Sequence, residues 1–205
     1  MRFYTNVYQR FNEMLVRGYE NGKQFSYREE FGPTFYVPSK KESKWKTLDG
    51  ENVEPIKPGK ISDCKEFVEK YKDVHGFAIY GNDRYVAQYI SDKYPEDEIK
   101  FDISKIGLYT IDIEVAAEEG FPDVHNVSEE LLAITLQDAA TKHITCFASR
   151  PFNNTRKDVT FVLCEDEYNL IDRFLEWWQQ VSPDVITGWN CELYDIPYIV
   201  RRIER

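Results

Sequence analysis

The chain has 205 residues, which suits one or two domains, and its hydrophobic content of 42% is enough to build a packed core. Its formal net charge of −10 disfavours a protein that holds nucleic acid on a broad basic surface, although an acidic cleft that contains metal ions would still permit binding. No apolar run is long enough to span a bilayer, and the four scattered cysteines form no C-x-x-C pair, which disfavours a zinc site and indicates reduced thiols in a reducing compartment.

The amino-terminal half is predicted to be a module rich in antiparallel strands. Asn21-Gly22 is a strong hairpin-turn signal, because both residue types tolerate a positive φ. A polar loop is predicted over Ser39–Lys46, and Pro55 and Pro58 are expected to keep the following segment irregular. The strands are predicted over Arg2–Tyr8, Glu13–Tyr19, Gln24–Glu29 and Thr34–Val37.

Two helices and one more strand are expected to complete this module. Ser62 is the predicted N-cap of the first helix, and a strand is predicted over Gly76–Tyr80. An amphipathic helix follows over Arg84–Tyr94, with Asp83 as its predicted cap. The charged segment Pro95–Glu98 is a break, so we place one domain at residues 1–103 and a second at 104–205.

The second module is predicted to contain three strands, a short strand, a helix, a strand and a helix. The first three strands are expected to be antiparallel, and the last strand is expected to be buried and parallel to the first, because a helix crosses between them. This is the order of a ribonuclease-H-like core, although other α/β folds share it. The strands are predicted over Lys105–Val115, Leu131–Gln137, His143–Phe147, Val159–Leu163 and Asp184–Gly188, and the helices run from Glu165 or Asp166 to Pro183 and over Asp195–Arg205.

The strand that contains Asp112 and Glu114 carries the first chemical signal. Alternate residues of a strand share a face, so the two carboxylates are expected to project side by side, while Ile111, Ile113 and Val115 face the other way. Two neighbouring carboxylates repel each other, and a divalent metal ion is the natural group to neutralise them. The same pattern also fits an edge strand whose solvated face is acidic.

The turn after Gly188 carries the second signal, Asn190 and Asp195. Asn190 follows the predicted strand at its carboxyl end, where open α/β sheets bind ligands, but a turn-forming asparagine fits the same position. Asp195 opens the final helix, where it would serve as an N-cap, as a metal ligand or as both, because a carboxylate has several lone pairs.

Three sequence features together resemble the first and second exonuclease motifs of family B DNA polymerases, in particular those of T-even-like bacteriophages. They are the D-I-E strand, the G-F-P loop that follows it and the run T-G-W-N-x-x-x-Y-D-I-P-Y. The resemblance implies a mixed α/β, ribonuclease-H-like exonuclease domain that is preceded by a smaller α+β amino-terminal domain. It is most specific for the second module, and the first module is placed by its position.

The resemblance further implies proofreading, the 3′→5′ removal of a misincorporated nucleotide from a single-stranded primer end. Asp112, Glu114 and Asp195 match three of the family's four acidic ligands for two Mg²⁺ or Mn²⁺ ions, which lie about 3.5–4 Å apart in two-metal hydrolysis. Asn190 would help to position the site, and Phe121 matches a loop aromatic that contacts the unstacked 3′ end. A hydrophobic loop anchor beside Pro122 is the alternative for Phe121.

The family's third exonuclease motif would lie well beyond Asp195, so the chain is expected to be an amino-terminal fragment of a polymerase and a poor nuclease by itself. The implied partners are a single-stranded DNA 3′ end, a primer-template, the remainder of the polymerase with its palm, fingers and thumb, and, through that remainder, a sliding clamp. No membrane is expected. For a phage protein, the implied place of action is the cytoplasm of an infected bacterium.

Two other functions are compatible with the sequence. One is a non-catalytic module that contacts template DNA or RNA through aromatic side chains of the first module, although such side chains are more often core residues. The aromatic residues concerned are Phe3, Tyr4, Tyr8, Phe35 and Tyr36. The other is a free-standing nuclease that completes its site from a second chain, and its activity would depend on protein concentration.

Overall fold

The chain divides into two units, Met1–Asp102 and Ile103–Arg205, and each is built around its own hydrophobic core. The computed structural model describes residues 2–94, 99–117, 120 and 122–205. The predicted fold class is confirmed, since both units combine helices with β-sheets and the sheet of the second unit is mixed. Assignment of the two units to named polymerase domains stays a prediction.

The first unit begins with an antiparallel meander of three strands, in the order β1-β2-β3. The strands are β1 (Arg2–Arg10), β2 (Glu13–Glu20) and β3 (Lys23–Glu30). Asn21 and Gly22 connect β2 and β3 with φ angles of 51° and 79°, which confirms the predicted hairpin turn. Met14 and Val16 of β2 are fully buried and anchor the meander in the core of this unit.

A second small sheet, in the order β4-β6-β5, corrects two predictions. Its strands are β4 (Phe35–Pro38), β5 (Trp45–Lys46) and β6 (Asn52–Ile56). The predicted loop therefore ends in a short strand, and the segment around Pro55 is a strand rather than irregular. The proline is tolerated because β5 pairs only with Asn52 and Val53, so β6 has a single neighbour at Pro55.

The helices of the first unit are α1 (Ile61–Tyr71) and α2 (Tyr85–Lys93). The N-caps differ from those predicted: Lys60 precedes α1 in place of Ser62, and Arg84 precedes α2 in place of Asp83. At the start of α1, the Asp63 carboxylate accepts a hydrogen bond from the Lys60 N–H at 3.1 Å. An acidic residue in the first turn thus satisfies the backbone N–H of the N-cap residue.

The predicted strand over Gly76–Tyr80 is wrong. Only Tyr80 pairs with another strand, through two hydrogen bonds with the backbone of Tyr36. The ring of Phe77 instead packs against Phe67 and Tyr71 of α1, so this apolar segment covers a helix and does not extend the sheet.

The second unit is a five-stranded mixed sheet with the order β10-β9-β8-β7-β11. The predicted pairings are confirmed: β7, β8 and β9 are antiparallel, and β11 is parallel to β7. The strands are β7 (Leu108–Val115), β8 (Leu131–Asp138), β9 (Ile144–Ala148), β10 (Val159–Leu163) and β11 (Val185–Thr187), and the helices are α3 (Glu167–Val181) and α4 (Asp195–Glu204). Because β11 lies at the edge of the sheet, Val185 and Thr187 are exposed, and the prediction of a buried strand there is wrong.

Local signals in the sequence explain where α3 begins and ends. The helix was predicted to begin at Glu165 or Asp166, and Asp166 is its N-cap: the Asp166 side chain accepts a hydrogen bond from the Asn169 N–H at 2.8 Å. Ser182 ends the helix in a left-handed conformation and Pro183 follows it. Leu170 and Phe174 of α3 are buried against the sheet. Within the described ranges, none of the helices has both the length and the apolarity needed to cross a bilayer.

Candidate functional site

Strand β7 presents its two acidic residues away from the core. Ile111 and Ile113 are buried, whereas Asp112 and Glu114 are exposed, as the alternation predicts. Strand β11 pairs with β7 only as far as Thr110, so both carboxylates lie where one side of β7 has no strand partner. Both carboxylates are therefore solvated, and burial by itself does not require a counter-ion for them. Their role as metal ligands stays a prediction.

Gly188 fixes the point at which the chain leaves the sheet. A Cβ atom at this position would lie 2.4 Å from the carbonyl oxygen of Ile111 and 3.1 Å from Cβ of Cys191. Only a residue without a side chain allows the end of β11 to approach β7 this closely. The turn towards α4 therefore starts at a defined place beside the acidic part of β7.

Asn190 forms the turn between β11 and α4. Its backbone is left-handed, with φ of 59°, and its carbonyl oxygen accepts hydrogen bonds from the N–H groups of Leu193 and Tyr194 at 3.0 and 2.9 Å. The turn-forming interpretation of Asn190 is thereby confirmed. A role in positioning a ligand stays a prediction for its exposed side chain.

Asp195 is the buried acid of the site. It is the first residue of α4, whose N-cap is Tyr194, so the prediction of Asp195 as the N-cap is wrong. Its side chain is only 4% exposed, and Oδ1 accepts a hydrogen bond from the Ile113 N–H at 3.1 Å. Burial, and then the negative charge of Asp112, raise the pKa of Asp195 above its usual value.

The acids of β7 and α4 meet in one cleft of about 320 Å³. Its lining residues are Asp112, Ile113, Glu114, Val115, Pro122, Trp189, Asn190, Tyr194 and Asp195. Four of the five site residues proposed from the sequence therefore line the same cleft. The fifth, Phe121, lies outside the described residues.

The cleft offers oxygen donors of the kind that hard divalent cations bind. A cation would also offset the negative charge of Asp112, which adds to the effect of burial in raising the pKa of Asp195. Among the residues that the structure describes, however, no group of three or more histidine, cysteine, aspartate or glutamate side chains is arranged to hold a metal ion. The carboxylate oxygens of the cleft suit Mg²⁺ or Mn²⁺. Coordination of one ion by Asp112, Glu114 and Asp195 together would require their side chains to move.

The connection between β7 and β8 is held by two arginines of α4, Arg201 and Arg202, and by Arg205, which directly follows the helix. None of the three was predicted from the sequence to have a role. Arg201 donates a hydrogen bond to the carbonyl oxygen of Val124 at 2.7 Å. Arg202 and Arg205 donate to the carbonyl oxygen of Val127 at 3.0 and 3.1 Å. The connection that carries Pro122 into the cleft is thus tied to the helix whose first residue is Asp195.

A partly buried ion pair reinforces this arrangement. Arg202 donates two hydrogen bonds of 2.6 Å to the carboxylate of Glu167, at the start of α3. The same carboxylate accepts the Leu131 N–H at 2.8 Å, and the hydroxyl of Tyr198 donates to the carbonyl oxygen of Glu129 at 2.7 Å. These bonds join α3, α4 and the start of β8 around the loop that borders the cleft.

Trp189 is a further residue of the cleft that the sequence analysis did not assign. Its side chain is 94% exposed, although it lines the cleft with the acids. The sequence does contain an indication of its role: Trp189 stands in the predicted turn beside Asn190, and a large apolar residue in a turn is not explained by core packing.

The aromatic side chains proposed as a base-stacking platform in the first unit are mostly packed inside it. Phe3 and Phe35 are buried, and Tyr4 and Tyr36 are half-buried. Tyr8 alone of these five is largely exposed, at 61%. The first unit thus supplies one exposed ring from this set, which does not favour the binding-module alternative.

Comparisons with known proteins bear on the same residues. The family model for the exonuclease domain of DNA polymerase family B matches residues 60–205. The DNA-directed DNA polymerases of Escherichia phage RB69 and Enterobacteria phage T4 are 26% and 27% identical to 98% of the chain, which spans 25% of each relative. The structure of the family B DNA polymerase from the archaeon Pyrobaculum calidifontis matches the whole chain with a TM-score of 0.69 and 17% identity, over 32% of that polymerase.

Proposed function

The chain belongs to the DNA polymerase family B exonuclease domain family, and from this premise we propose that its cleft hydrolyses the 3′-terminal phosphodiester of single-stranded DNA. In this reaction the oxygen of water is added to phosphorus, and the bond from phosphorus to the 3′ oxygen breaks. In a polymerase, removal of the last nucleotide would correct a misincorporation. The phage relatives support this proofreading role, with the infected bacterial cell as the place of action.

The observation that carries the proposal is the meeting of Asp112, Glu114 and Asp195 at one cleft. Strand β7 supplies two of the acids, and the first turn of α4 supplies the third. Asp195 is held in place by the Ile113 N–H, so the third acid has a fixed direction relative to β7. This combination explains why acids distant in the sequence would act as one ligand set.

We propose a role for each polar residue of the cleft. Asp112, Glu114 and Asp195 would hold the divalent cations, which supply activation of water and stabilisation of the leaving 3′ oxygen in two-metal hydrolysis. Asn190, on its rigid turn, would donate a hydrogen bond to the nucleotide from its amide. Phe121, next to Pro122 in the sequence, would contact the unstacked terminal base.

We further propose that the chain acts together with the remaining parts of a polymerase, which would present a primer-template to the cleft. The chain spans about a quarter of the length of its phage relatives. Because no three-carboxylate group in the described part of the chain is arranged to hold a metal ion, we expect slow hydrolysis by these 205 residues alone.

The proposal is tested by single-turnover hydrolysis of a 5′-labelled single-stranded oligonucleotide, with the protein in excess and Mn²⁺ present. We expect slow shortening from the 3′ end that is lost in Asp112→Ala, because metal-stabilised transition states lose orders of magnitude in rate when a ligand is removed. Asp172→Ala is the matched control, because Asp172 is an exposed aspartate of α3 outside the cleft.

Equal hydrolysis by the unaltered chain and Asp112→Ala would refute the proposal. Loss of hydrolysis in Asp172→Ala as well as Asp112→Ala would also count against it, since a general defect of folding would then explain the result. Fast, multiple-turnover degradation that depends on Asp112 would support the site and show that the expectation of slow hydrolysis is wrong.

A further inference from the structure

Trp189 presents a large apolar ring to solvent beside the acids of the cleft. The side chain is 94% exposed, whereas the other two tryptophans of this unit, Trp177 and Trp178, pack against the core. Single exposed apolar residues are common on protein surfaces and need no explanation by themselves. Trp189 differs because it borders the same cleft as Asp112 and Asp195.

The backbone around Trp189 is held rigidly on both sides. Gly188 is pressed against the carbonyl oxygen of Ile111, and no larger residue fits there. Asn190 is left-handed and accepts two backbone hydrogen bonds from the residues that precede α4. The indole is therefore presented from a fixed turn, which lowers the entropy lost when a ligand is bound.

Two different segments supply apolar groups to the lining of the cleft. Pro122 comes from the connection between β7 and β8, and Trp189 comes from the turn between β11 and α4. The acids line the same cleft as Pro122 and Trp189. A ligand with a phosphodiester near the acids and a flat apolar group beside it would use both kinds of surface.

We propose that Trp189 stacks on an unpaired nucleobase of the DNA strand whose phosphodiester lies at Asp112, Glu114 and Asp195. This inference rests on the proposed function. Stacking needs only the π-face that every base has, so the contact would hold a strand of any sequence. It would help to hold an unpaired end in the cleft, where the acidic side chains give no attraction of their own for DNA.

The test uses the 205-residue chain, oligo(dT) that carries 2-aminopurine at its 3′ end, and Ca²⁺ in place of Mn²⁺ so that binding is measured without hydrolysis. We expect Trp189→Ala to weaken binding roughly tenfold or more, and Trp189→Phe to retain most of the affinity, because a phenyl ring also stacks. Trp45→Ala is the matched control, since Trp45 is a partly exposed tryptophan of the other unit. The fluorescence of Trp189 is obtained as the difference in tryptophan emission between the unaltered chain and Trp189→Phe. We expect the oligonucleotide to quench this fluorescence.

Binding of equal strength by the unaltered chain and Trp189→Ala overturns the inference, and so does the absence of binding by the unaltered chain. Emission of Trp189 that is shielded from acrylamide in the free chain and unchanged by DNA also overturns it, because another polypeptide surface would then cover the indole. The proposed function is tested separately: it fails if hydrolysis does not depend on Asp112, whatever the binding result, and it stands if hydrolysis depends on Asp112 while Trp189→Ala binds normally.

Discussion

The backbone N–H of Ile113 donates a hydrogen bond to Oδ1 of Asp195 at 3.1 Å, across 82 residues of sequence. Strand β11 stops pairing with β7 at Thr110, so it supplies no partner for Ile113. The carboxylate of Asp195 takes this position and satisfies a backbone group that would otherwise be buried without a partner. One side chain thus completes the sheet and brings a third acid to Asp112 and Glu114.

Replacement of Asp195 by asparagine should stabilise the fold. Burial, followed by repulsion from Asp112, disfavours the ionised carboxylate and raises the pKa of Asp195. Asparagine removes the charge and keeps an oxygen that can accept the Ile113 N–H. We expect Asp195→Asn to gain on the order of 1 kcal/mol at neutral pH, which would raise the melting temperature by roughly 2–4 °C.

Melting in the presence of Mn²⁺ distinguishes the loss of the Asp195 charge from a general stabilisation of the fold. The unaltered chain should melt at a higher temperature with Mn²⁺, because a ligand that binds only the folded state stabilises it. Asp195→Asn should respond less to Mn²⁺, and Asp172→Asn should behave as the unaltered chain. A destabilised Asp195→Asn, or one that responds fully to Mn²⁺, would show that the charge of Asp195 has a different role.

Replacement of Gly188 by alanine should destabilise the second unit. The new Cβ would lie 2.4 Å from the carbonyl oxygen of Ile111, so β11 and the turn would have to move, at a cost of about 1–3 kcal/mol. Urea unfolding measures this cost. Gly107→Ala is the control, because a Cβ there would meet no atom closer than 3.5 Å, and equal stability of the two variants would contradict the packing argument.

Replacement of Glu167 by glutamine should produce a stability loss that depends on pH. Burial opposes ionisation of Glu167, but the hydrogen bonds from Arg202 and from the Leu131 N–H, with the charge of Arg202, hold the pKa of Glu167 below its usual value of 4.5. A depressed carboxyl pKa contributes stability above the unfolded-state pKa, and this contribution is lost as pH falls through the folded-state pKa. At neutral pH, we expect Glu167→Gln to cost about 2 kcal/mol.

The loss should shrink as pH falls below 4.5, and denaturant unfolding at several pH values measures it. Glu176→Gln is the control, because the pair of Glu176 with Arg173 is half exposed at 3.4 Å and should contribute little at any pH. A loss for Glu167→Gln that is the same at acidic and neutral pH would indicate a packing defect and not a lost ion pair.

Local signals in the sequence predicted much of the fold. The Asn21-Gly22 turn, the alternation along β7 and the start of α3 beside Asp166 each depend on a few neighbouring residues, and all three are confirmed. The strand that contains Pro55 was missed because its tolerance of proline depends on how far β5 extends alongside it. The strand predicted at Gly76–Tyr80 failed because apolar residues there pack on α1, which composition cannot distinguish from strand pairing.

The site was predictable in part for the same reason. The sequence identifies Asp112, Glu114 and Asp195 as candidate metal ligands. The parallel pairing of β11 with β7, which was also predicted, brings them to a common cleft. The hydrogen bond from Ile113 to Asp195 was not predictable, because it depends on the residue at which β11 ends. The arginines at and just after the end of α4 were missed because their partners are backbone carbonyls more than 70 residues away, at Val124 and Val127.

The most direct measurement of the central claim is the anomalous scattering of Mn²⁺ in crystals of this chain soaked with the metal. The claim is that Asp112 and Glu114 of β7 and Asp195 of α4 together bind a divalent cation. We predict an anomalous peak in the cleft within coordination distance of Asp195 and at least one of the two β7 acids, and its loss in Asp112→Ala crystals. Mn²⁺ bound only at sites elsewhere on the chain, or a peak in the cleft that is unchanged in Asp112→Ala, would contradict the claim.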